Sequence, residues 1–373
     1  MWKTAARYTE WYKKDGVYVH VINFTLLPLF FCFRRLYNKK WYEREGLQTM
    51  FVDELRDKIR GKGVRIVFTE GPDHRVQEAA VRLYKEEIVE PVLLGDPEEI
   101  AATAKTYGFD LDGICIMTPK DFPDMDKMVT RMIELRRGKM DEASCRKALQ
   151  QTNYFGTMLV QMGYADGLLG GATYSTADTV RPALQLVKAA PGNSIVSSCF
   201  VLVKGDEQLF MGDCSININP NVDELVEITM QTANTVKQLG IQPRIGLLSY
   251  STLGSAKGES VAKVREAAIR LQRMPLDYKV EGAMQFDCCF APEVAALKAP
   301  DSEIAGNINT FVFPNIDAGN IGYKIAARLG GYEAIGPILQ GLNAPINDLS
   351  RGCNAEEIYK MAIVTAAQKF MNI

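Results

Sequence analysis

The 373-residue sequence contains only two histidines, His20 and His74. A Ser-His-Asp triad needs a histidine as its base, and catalytic zinc sites usually take several histidines as ligands. Two isolated histidines therefore argue against both kinds of site, and we expect no metal. The chemistry must depend on carboxylates, arginines, hydroxyls, thiols and backbone amides.

The sequence also has little net charge and no paired cysteine motif. Its 43 Lys and Arg nearly balance its 45 Asp and Glu, which argues against a dominant nucleic-acid-binding surface. The eight cysteines include no C-x-x-C pair, and a chain of this length does not depend on disulfides for stability. We expect all eight to be reduced thiols in a cytoplasmic protein.

Long apolar runs are missing from the N-terminal region. The run at residues 22–33 contains Pro28 and is too short to cross a membrane, which takes about 20 residues. Residues 1–49 contain all three tryptophans and an excess of Lys and Arg. We expect this segment to be an extension outside the fold, with no membrane attachment, and Met50 to start the folded part. A membrane-surface anchor is the alternative.

From residue 64 onward, short apolar runs alternate with amphipathic helical patterns. This alternation is typical of βαβ units and a mostly parallel sheet. The predicted strands of this first part are residues 64–68, 91–94, 114–117 and 166–171, and its predicted helices lie at 73–86 and, as a pair, within 127–150.

After residue 193 the pattern changes to a predicted β-hairpin, which marks a second domain. We expect an extension at 1–49, a domain I built from 50–193 plus 337–373, and a domain II at 194–336. Further elements are predicted as hairpin strands at 194–203 and 208–213, helices at 221–238 and 257–273, strands at 245–249 and 310–313, and a C-terminal helix from Ala355. One face of that helix carries an apolar stripe that we expect in the core, formed by Ile358, Met361, Ala362, Ala366 and Phe370.

Ser350 and Arg351 lie just before the C-terminal helix, whose predicted N-cap is Asn354. Free N–H groups at a helix start favour an anion, and arginine and serine side chains donate to phosphate oxygens. This pattern predicts an anion site, unless Arg351 simply lies on the surface beside an ordinary capped helix. Glu357 is either the capping-box partner of Asn354 or a general base.

Four further segments combine polar residues with glycine or helix ends. Asp178 or Thr179 is predicted to cap a helix, which would place Arg181 in its first turn, and Arg136 lies at the end of another helix. The loop at 254–259 and the sequence at 319–324 are predicted to be turns that admit a ligand close to the backbone. No G-x-G-x-x-G follows the first strand, which argues against nucleotide redox chemistry.

Taken together, these segments closely resemble the phosphate acetyltransferase (phosphotransacetylase) family from about Met50 to the end. Several long strings follow one another in the family's order. They are residues 66–71 (IVFTEG), 153–160 (NYFGTMLV), 178–185 (DTVRPALQ), 254–259 (GSAKGE), 311–314 (FVFP), 319–324 (GNIGYK), 339–343 (LQGLN) and 350–353 (SRGC).

The resemblance implies a two-domain α/β fold like that of isocitrate and isopropylmalate dehydrogenases, with the active site in the cleft between the domains. It implies a homodimer, and reversible transfer of an acetyl group between CoA and inorganic phosphate, so that acetyl-CoA and phosphate give acetyl phosphate and CoA. It implies no cofactor, and no nucleic-acid or membrane partner. In the family's mechanism both substrates bind together and no acyl-enzyme forms.

Residue roles implied by the resemblance follow the matching positions. Glu357 would take the proton of the CoA thiol, Ser350 would orient acetyl phosphate and Arg351 would stabilise developing charge. The family commonly has Asp at the position of Glu357 and often Lys at that of Leu253. The residues implied in substrate binding are Arg136, Thr179, Arg181, Ser255, Lys257, Asn320 and Lys324.

Alternatives remain open at this point. The acyl preference could be butyryl, because the sequence does not show the pocket size. A metal-dependent dehydrogenase of the same fold would need clustered aspartates, which are absent from the motifs. Cys353 beside Arg351 would allow a covalent thioester. The chain could also be a catalytically silent regulator that binds CoA or an acyl phosphate, a hypothesis favoured only by Glu357.

Overall fold

The computed structural model describes residues 9–14, 17–22 and 50–370. Within the first 49 residues, two antiparallel strands, β1 (Thr9–Lys14) and β2 (Val17–Ile22), pair as a hairpin. The rest of the predicted extension lies outside the described residues, including the apolar run after Ile22. Residues 50–373 form a separate compact unit.

A five-stranded, wholly parallel sheet contains the first strands of this unit and one strand from near the C-terminus. Its order is β13-β6-β3-β4-β5. The predicted strands are confirmed, except that the sequence did not predict β13. The strands are β3 (Arg65–Phe68), β4 (Glu90–Leu94), β5 (Cys115–Met117), β6 (Gly167–Gly170) and β13 (Ile346–Asp348).

Seven α-helices accompany the first strands, beginning with α1 and α2. The predicted helices at 73–86 and within 127–150 are confirmed. A 3₁₀ turn at Pro119–Asp121 and a π-helical segment at Ala183–Val187 complete this part. The helices are α1 (Met50–Ile59), α2 (His74–Lys85), α3 (Pro97–Tyr107), α4 (Met125–Arg136), α5 (Glu142–Ala148), α6 (Thr152–Gln161) and α7 (Thr176–Pro182).

A six-stranded mixed sheet follows, in the order β10-β9-β11-β8-β7-β12. The predicted hairpin is confirmed as the antiparallel pair β7–β8. The pairs β8–β11, β11–β9 and β9–β10 are parallel. The strands are β7 (Ser197–Lys204), β8 (Glu207–Gly212), β9 (Arg244–Leu248), β10 (Lys279–Met284), β11 (Thr310–Val312) and β12 (Glu333–Gln340).

The predicted helices at 221–238 and 257–273 and the C-terminal helix are also confirmed. The helices of this part are α8 (Val222–Gln238), α9 (Glu259–Gln272), α10 (Phe286–Phe290), α11 (Pro292–Lys298), α12 (Ile316–Arg328) and α13 (Ala355–Gln368).

Strand β12 was not predicted because it contains Gly336-Pro337, which we interpreted as the exit from domain II. A proline lacks the N–H group that a central strand needs, so within sheets it is confined to edges and bulges. β12 is an edge strand, and its pairing with β7 shifts register between Ile335 and Ile338. The proline is therefore compatible with the strand.

Helix α13 is buried along most of its length. Ile358, Met361, Ala362 and Ala366 are 0–2% exposed, as the predicted apolar stripe requires. Phe370 is 45% exposed, so its prediction as a core residue was wrong. It lies past the end of the helix, where the Lys62 ammonium sits 4.3 Å from its ring centre.

The predicted limits of domains I and II stay a prediction. The strands of residues 65–170 and β13 belong to one sheet, and the strands of residues 197–340 belong to the other. Strand β12 runs through the predicted limit at residues 336 and 337.

Candidate active site

Three strands of the parallel sheet bring polar side chains to one edge. In this sheet, β4 and β5 lie on one side of β3, and β6 and β13, which come later in the chain, lie on the other side. In open α/β sheets such a reversal leaves a crevice at the carboxyl ends of the strands, where ligands bind. Thr69 and Glu70 follow β3, Gly171 follows β6 and Asp348 ends β13.

Glu70 fixes the turn that follows β6. Its Oε1 accepts hydrogen bonds from the backbone N–H groups of Gly171 and Thr173, at 3.1 and 3.0 Å, and its Oε2 accepts one from the Thr69 hydroxyl at 3.0 Å. Burial raises the pKa of Glu70, although these hydrogen bonds oppose the rise. The carboxyl group is thus committed to the backbone of the turn.

The segment from Ser350 to Asn354 is exposed at the start of α13, except for Cys353. The Ser350 Oγ accepts a hydrogen bond from the Gly352 N–H at 3.3 Å, and the Cys353 N–H donates to the Ser350 carbonyl at 2.9 Å. These bonds make a tight turn that leaves the side chains of Ser350 and Arg351 directed away from the core. The geometry suits donors to an anion at a helix start.

The capping box predicted at this helix is present. The Asn354 Oδ1 accepts from the Glu357 N–H at 2.9 Å, and the Glu357 Oε2 accepts from the Asn354 N–H at 3.3 Å. Glu357 is exposed and uses one oxygen for this bond. A carboxylate has two oxygens, so the second oxygen of Glu357 can still take a proton while the first caps the helix.

A cleft of about 360 Å³ opens beside the helix start. It brings Ser350 and Glu357 together with Lys324 of α12, three residues that the sequence selected from distant segments. Its lining also includes the aromatic residues Phe200 and Tyr323, whose rings stack with centres 4.0 Å apart. The cleft therefore joins donors for an anion, a carboxylate and an aromatic pair.

Comparison with known proteins shows the family to which this chain belongs. The family model described as phosphate acetyl/butaryl transferase matches residues 50–366. A phosphate acetyltransferase of Bacillus subtilis is 50% identical over 314 residues, which cover 84% of this chain and 97% of the relative. This chain belongs to the phosphate acetyl/butaryl transferase family. The resemblance seen in the sequence is confirmed.

Solved structures of relatives confirm the fold class. A phosphotransacetylase from Streptococcus pyogenes has 51% identity and a TM-score of 0.82, covering 86% of this chain and 98% of its own. A Salmonella typhimurium protein assigned as a 4-hydroxythreonine-4-phosphate dehydrogenase has 12% identity and a TM-score of 0.50, covering 82% of this chain and 99% of its own. At that identity the likeness concerns the fold alone. The family member described here has a dehydrogenase-like α/β fold.

The sequence at 319–324 forms the middle of α12, so its prediction as a turn was wrong. The glycines are needed for close packing: a Cβ on Gly319 would lie 2.6 Å from the Asp213 carbonyl oxygen, and one on Gly322 would lie 3.0 Å from the Phe313 ring. Within the helix, Asn320 and Lys324 are one turn apart, and the Lys324 ammonium donates to the Asn320 Oδ1 at 2.7 Å.

The predicted start of helix α7 was also wrong. Its N-cap is Ser175, whose N–H and hydroxyl both donate to the Asp178 carboxylate, at 3.3 and 2.7 Å. The helix thus begins earlier than predicted, and Arg181 lies in its last turn and is exposed. Thr179 is only 2% exposed, and its hydroxyl donates to Asp348.

Arg351 and the remaining predicted substrate-binding residues are not in the cleft lining. Arg136 ends α4, as predicted, and its Nε is buried without a hydrogen-bond partner among the described residues. Ser255 is engaged within its own loop, where its Oγ accepts from the Thr252 N–H at 3.0 Å. The Lys257 carbonyl accepts from the Tyr250 hydroxyl in the same loop. Their roles in binding stay predictions.

Sequence reasoning missed Arg75, which lies in the first turn of α2. Its guanidinium donates to the carbonyls of Arg351, Cys353 and Ala172, at 3.1, 2.7 and 2.9 Å, and also pairs with the helix-capping Asp73. It therefore ties the turn after β6 to the segment before α13. The only sequence signal was an arginine in the first turn after a strand, which is too common to select.

Cys353 lines the cleft but is poorly suited to act as a nucleophile. It is 5% exposed, and burial raises the pKa of its thiol to about 11, even though Arg75 lowers it. The thiolate is the reactive form of cysteine. The fraction present as thiolate near neutral pH is therefore small, which disfavours a covalent thioester.

In the part of the chain that the structure describes, no group of three or more His, Cys, Asp or Glu side chains is arranged to hold a metal ion. None of the helices in that part combines the length and the apolar character needed to cross a bilayer.

Proposed function

We propose that this chain is a phosphate acetyltransferase, which transfers an acetyl group reversibly between CoA and inorganic phosphate. The observation that carries the proposal is the cleft at the start of α13, where Ser350, Glu357 and Lys324 converge. The family membership and the names of the relatives support it. Both substrates are anionic, which suits a cleft with arginine and lysine donors and a helix start.

In the direction of acetyl-CoA formation, Glu357 takes the proton of the CoA thiol. A thiol with an ordinary pKa near 8.5 is mostly protonated at neutral pH, so a base in contact increases the thiolate population. The thiolate attacks the carbonyl carbon of acetyl phosphate, and the bond from that carbon to the phosphate oxygen breaks. Inorganic phosphate leaves with the electron pair, and no acyl-enzyme forms.

Ser350 and Arg351 act on the phosphoryl side of the reaction. The Ser350 hydroxyl orients acetyl phosphate, and the Arg351 guanidinium stabilises the charge that develops on the carbonyl oxygen and the leaving phosphate. Donors preorganised toward developing charge contribute strongly in a site shielded from water. We also propose that Lys324, Asn320, Arg181, Arg136, Ser255 and Lys257 contribute to binding of the two anionic substrates.

The reaction as written moves one proton and one acetyl group and needs no resident cofactor or metal. We therefore expect full turnover in the presence of a chelator. The test mixes purified protein, acetyl phosphate, CoA and EDTA and follows thioester formation. Thioester formation that phosphate reverses would support the proposal, and CoA binding without turnover would instead support a silent regulator.

The aromatic pair in the cleft bears on the acyl preference. Phe200 and Tyr323 stack against each other in the cleft lining, and we propose that these rings limit the length of the acyl chain. We propose a preference for acetyl over butyryl groups. The same assay with butyryl phosphate tests it, and equal kcat/KM for both donors would favour a broad short-chain acyltransferase.

We also propose that the chain forms a homodimer, as the family resemblance implies. One face of α12 carries Ile321 and Ile325 one turn apart, followed by Leu329, and these side chains are 57%, 53% and 85% exposed. An exposed apolar stripe of this kind is typical of a protein interface. Light scattering should give twice the chain mass, and an Ile325→Glu variant should shift it toward the monomer.

A cytoplasmic location is part of the proposal. The seven cysteines in the described residues are free thiols, as expected where glutathione keeps thiols reduced. Cell fractionation tests the location directly, and recovery of the chain in a membrane fraction would contradict it.

A further inference from the structure

Asp348 joins three segments of the candidate active site without facing the cleft. It is 1% exposed at the end of β13. The Thr176 hydroxyl donates to its Oδ2 and the Thr179 hydroxyl to its Oδ1, both at 2.6 Å. A Cβ on Gly171 would lie 2.4 Å from Oδ1, so the carboxyl group also packs directly on the turn after β6.

Two of the three segments, the end of β13 and helix α7, lead to residues assigned to substrate binding. Ser350 and Arg351 follow Asp348 by two and three residues, and Arg181 follows Thr179 by two residues in the last turn of α7. The Leu349 N–H donates to the Gly170 carbonyl at 2.7 Å, which fixes the chain on leaving Asp348. Arg181 follows one segment that meets at the Asp348 carboxyl group, and the pair Ser350-Arg351 follows the other.

We propose that Asp348 is a positioning residue that holds α7 against the end of β13, and thereby sets the spacing between Arg181 and Ser350-Arg351. This inference rests on the proposed function, which assigns Ser350 and Arg351 to acetyl phosphate and Arg181 to substrate binding. It also changes the role of Thr179: its hydroxyl is occupied by Asp348 and acts on the substrate through Asp348. A misplacement of about 1 Å in such a site can cost about a hundredfold in rate.

The surroundings of Asp348 disfavour its ionised carboxylate and so reduce the stability of the fold. Burial raises its pKa to about 6, the hydrogen bonds from Thr176 and Thr179 oppose the rise, and the buried Tyr174 hydroxyl also interacts with it. None of these three residues carries a positive charge. A buried carboxylate without a cationic partner costs stability, and such costs are typical of functional sites.

The test compares two threonines that hydrogen-bond beside the same strand. Thr179→Val removes the bond to Asp348, whereas Thr365→Val removes the bond that the neighbouring Asn347 donates to Thr365 at 2.8 Å. Both threonines are buried. We expect Thr179→Val to raise the KM for acetyl phosphate about tenfold, with the KM for CoA unchanged, and Thr365→Val to lower the melting temperature without changing either KM.

A double-mutant cycle decides whether Thr179 acts through Asp348. If it does, the variant with both Asp348→Ala and Thr179→Val should be no worse than Asp348→Ala alone. If Asp348→Ala does not fold, Thr176→Val replaces it in the cycle, and the two threonine changes should again be non-additive. Thr179→Ser keeps the hydroxyl and should restore the wild-type KM.

Three outcomes would overturn the inference. If the changes in the KM for acetyl phosphate from Asp348→Ala and Thr179→Val multiply in the double variant, Thr179 contacts the substrate itself. An equal rise in the KM for acetyl phosphate in Thr365→Val would mean a general loosening of the fold. A wild-type protein without turnover would overturn the proposed function and the inference with it, whereas the first two results, obtained with an active enzyme, leave the proposed function intact.

Discussion

At the scale of single residues, Glu357 has to satisfy two requirements at once. Its Oε2 closes the capping box with the Asn354 N–H, and its carboxylate lines the cleft where the CoA thiol would lose its proton. A glutamate side chain is one methylene longer than an aspartate. That length lets it reach back to the cap, which is the pairing the sequence predicted.

Glu357→Gln separates the two roles. Glutamine keeps an oxygen that accepts from the Asn354 N–H, so the capping box and the melting temperature should be nearly unchanged. It cannot take a proton, so kcat should fall about a hundredfold or more. Steady-state kinetics and thermal unfolding measure both. An unchanged kcat would show that Glu357 is a cap and nothing more.

Ser350→Ala and Arg351→Ala test the anion site. Both side chains are exposed, so neither change should lower stability noticeably. Each removes a donor to the reacting phosphate, which should lower kcat about a hundredfold. Arg270→Ala is a suitable control, because it removes an exposed arginine whose ion pairs with Asp223 and Glu266 are far from the assigned residues in sequence. Near-full activity of either site variant would contradict the assignment.

At the scale of elements, the regular βαβ part was predictable and the irregular parts were not. Strands such as β3 and β4 are short apolar runs bounded by turns, which define them locally. By contrast, β12 contains a proline that only its edge position tolerates, and α12 contains glycines that only its packing against Asp213 and Phe313 explains. Both depend on neighbours that a single sequence does not reveal.

The same limit applies to the site. Ser350, Glu357 and Lys324 could be selected from the sequence, because a helix start and a family resemblance point to them. Arg75 could not, because its donor groups reach carbonyls almost 280 residues away along the chain, as the pairing with Cys353 shows. The role of Asp348 likewise depends on the way β13 meets α7.

The junction of β13 and α7 gives a pH-dependent prediction. Burial raises the pKa of Asp348 from its ordinary 3.8 to about 6, so its contribution to stability is present below about pH 4 and lost as the pH rises through about 6. A shift of this size corresponds to about 2–3 kcal/mol. Asp348→Asn does not titrate and should lack this loss.

Urea unfolding of both proteins from pH 4 to 7 measures the effect. The free energy of unfolding of the wild type should fall by about 2–3 kcal/mol more than that of Asp348→Asn over this range. Glu70 titrates in both proteins, so its contribution cancels in the comparison. Parallel curves would show that the pKa of Asp348 is not raised.

At the scale of the whole molecule, the five-stranded sheet, the six-stranded sheet and the cleft are built from residues after Met50. The family match also begins there. Deletion of residues 1–49 should therefore leave kcat and the melting temperature close to those of the full chain. Activity assays and calorimetry on both forms test this, and a collapse of either quantity would show that the N-terminal segment belongs to the fold.

Direct acetyl transfer between CoA and phosphate in one cleft is tested most directly by isotope exchange. Labelled inorganic phosphate is incubated with the protein and unlabelled acetyl phosphate, with and without CoA. We predict that label enters acetyl phosphate only when CoA is present, because the acetyl group must pass to CoA before phosphate can take it back. Exchange without CoA would reveal an acyl-enzyme, and no exchange with CoA would contradict the proposed function.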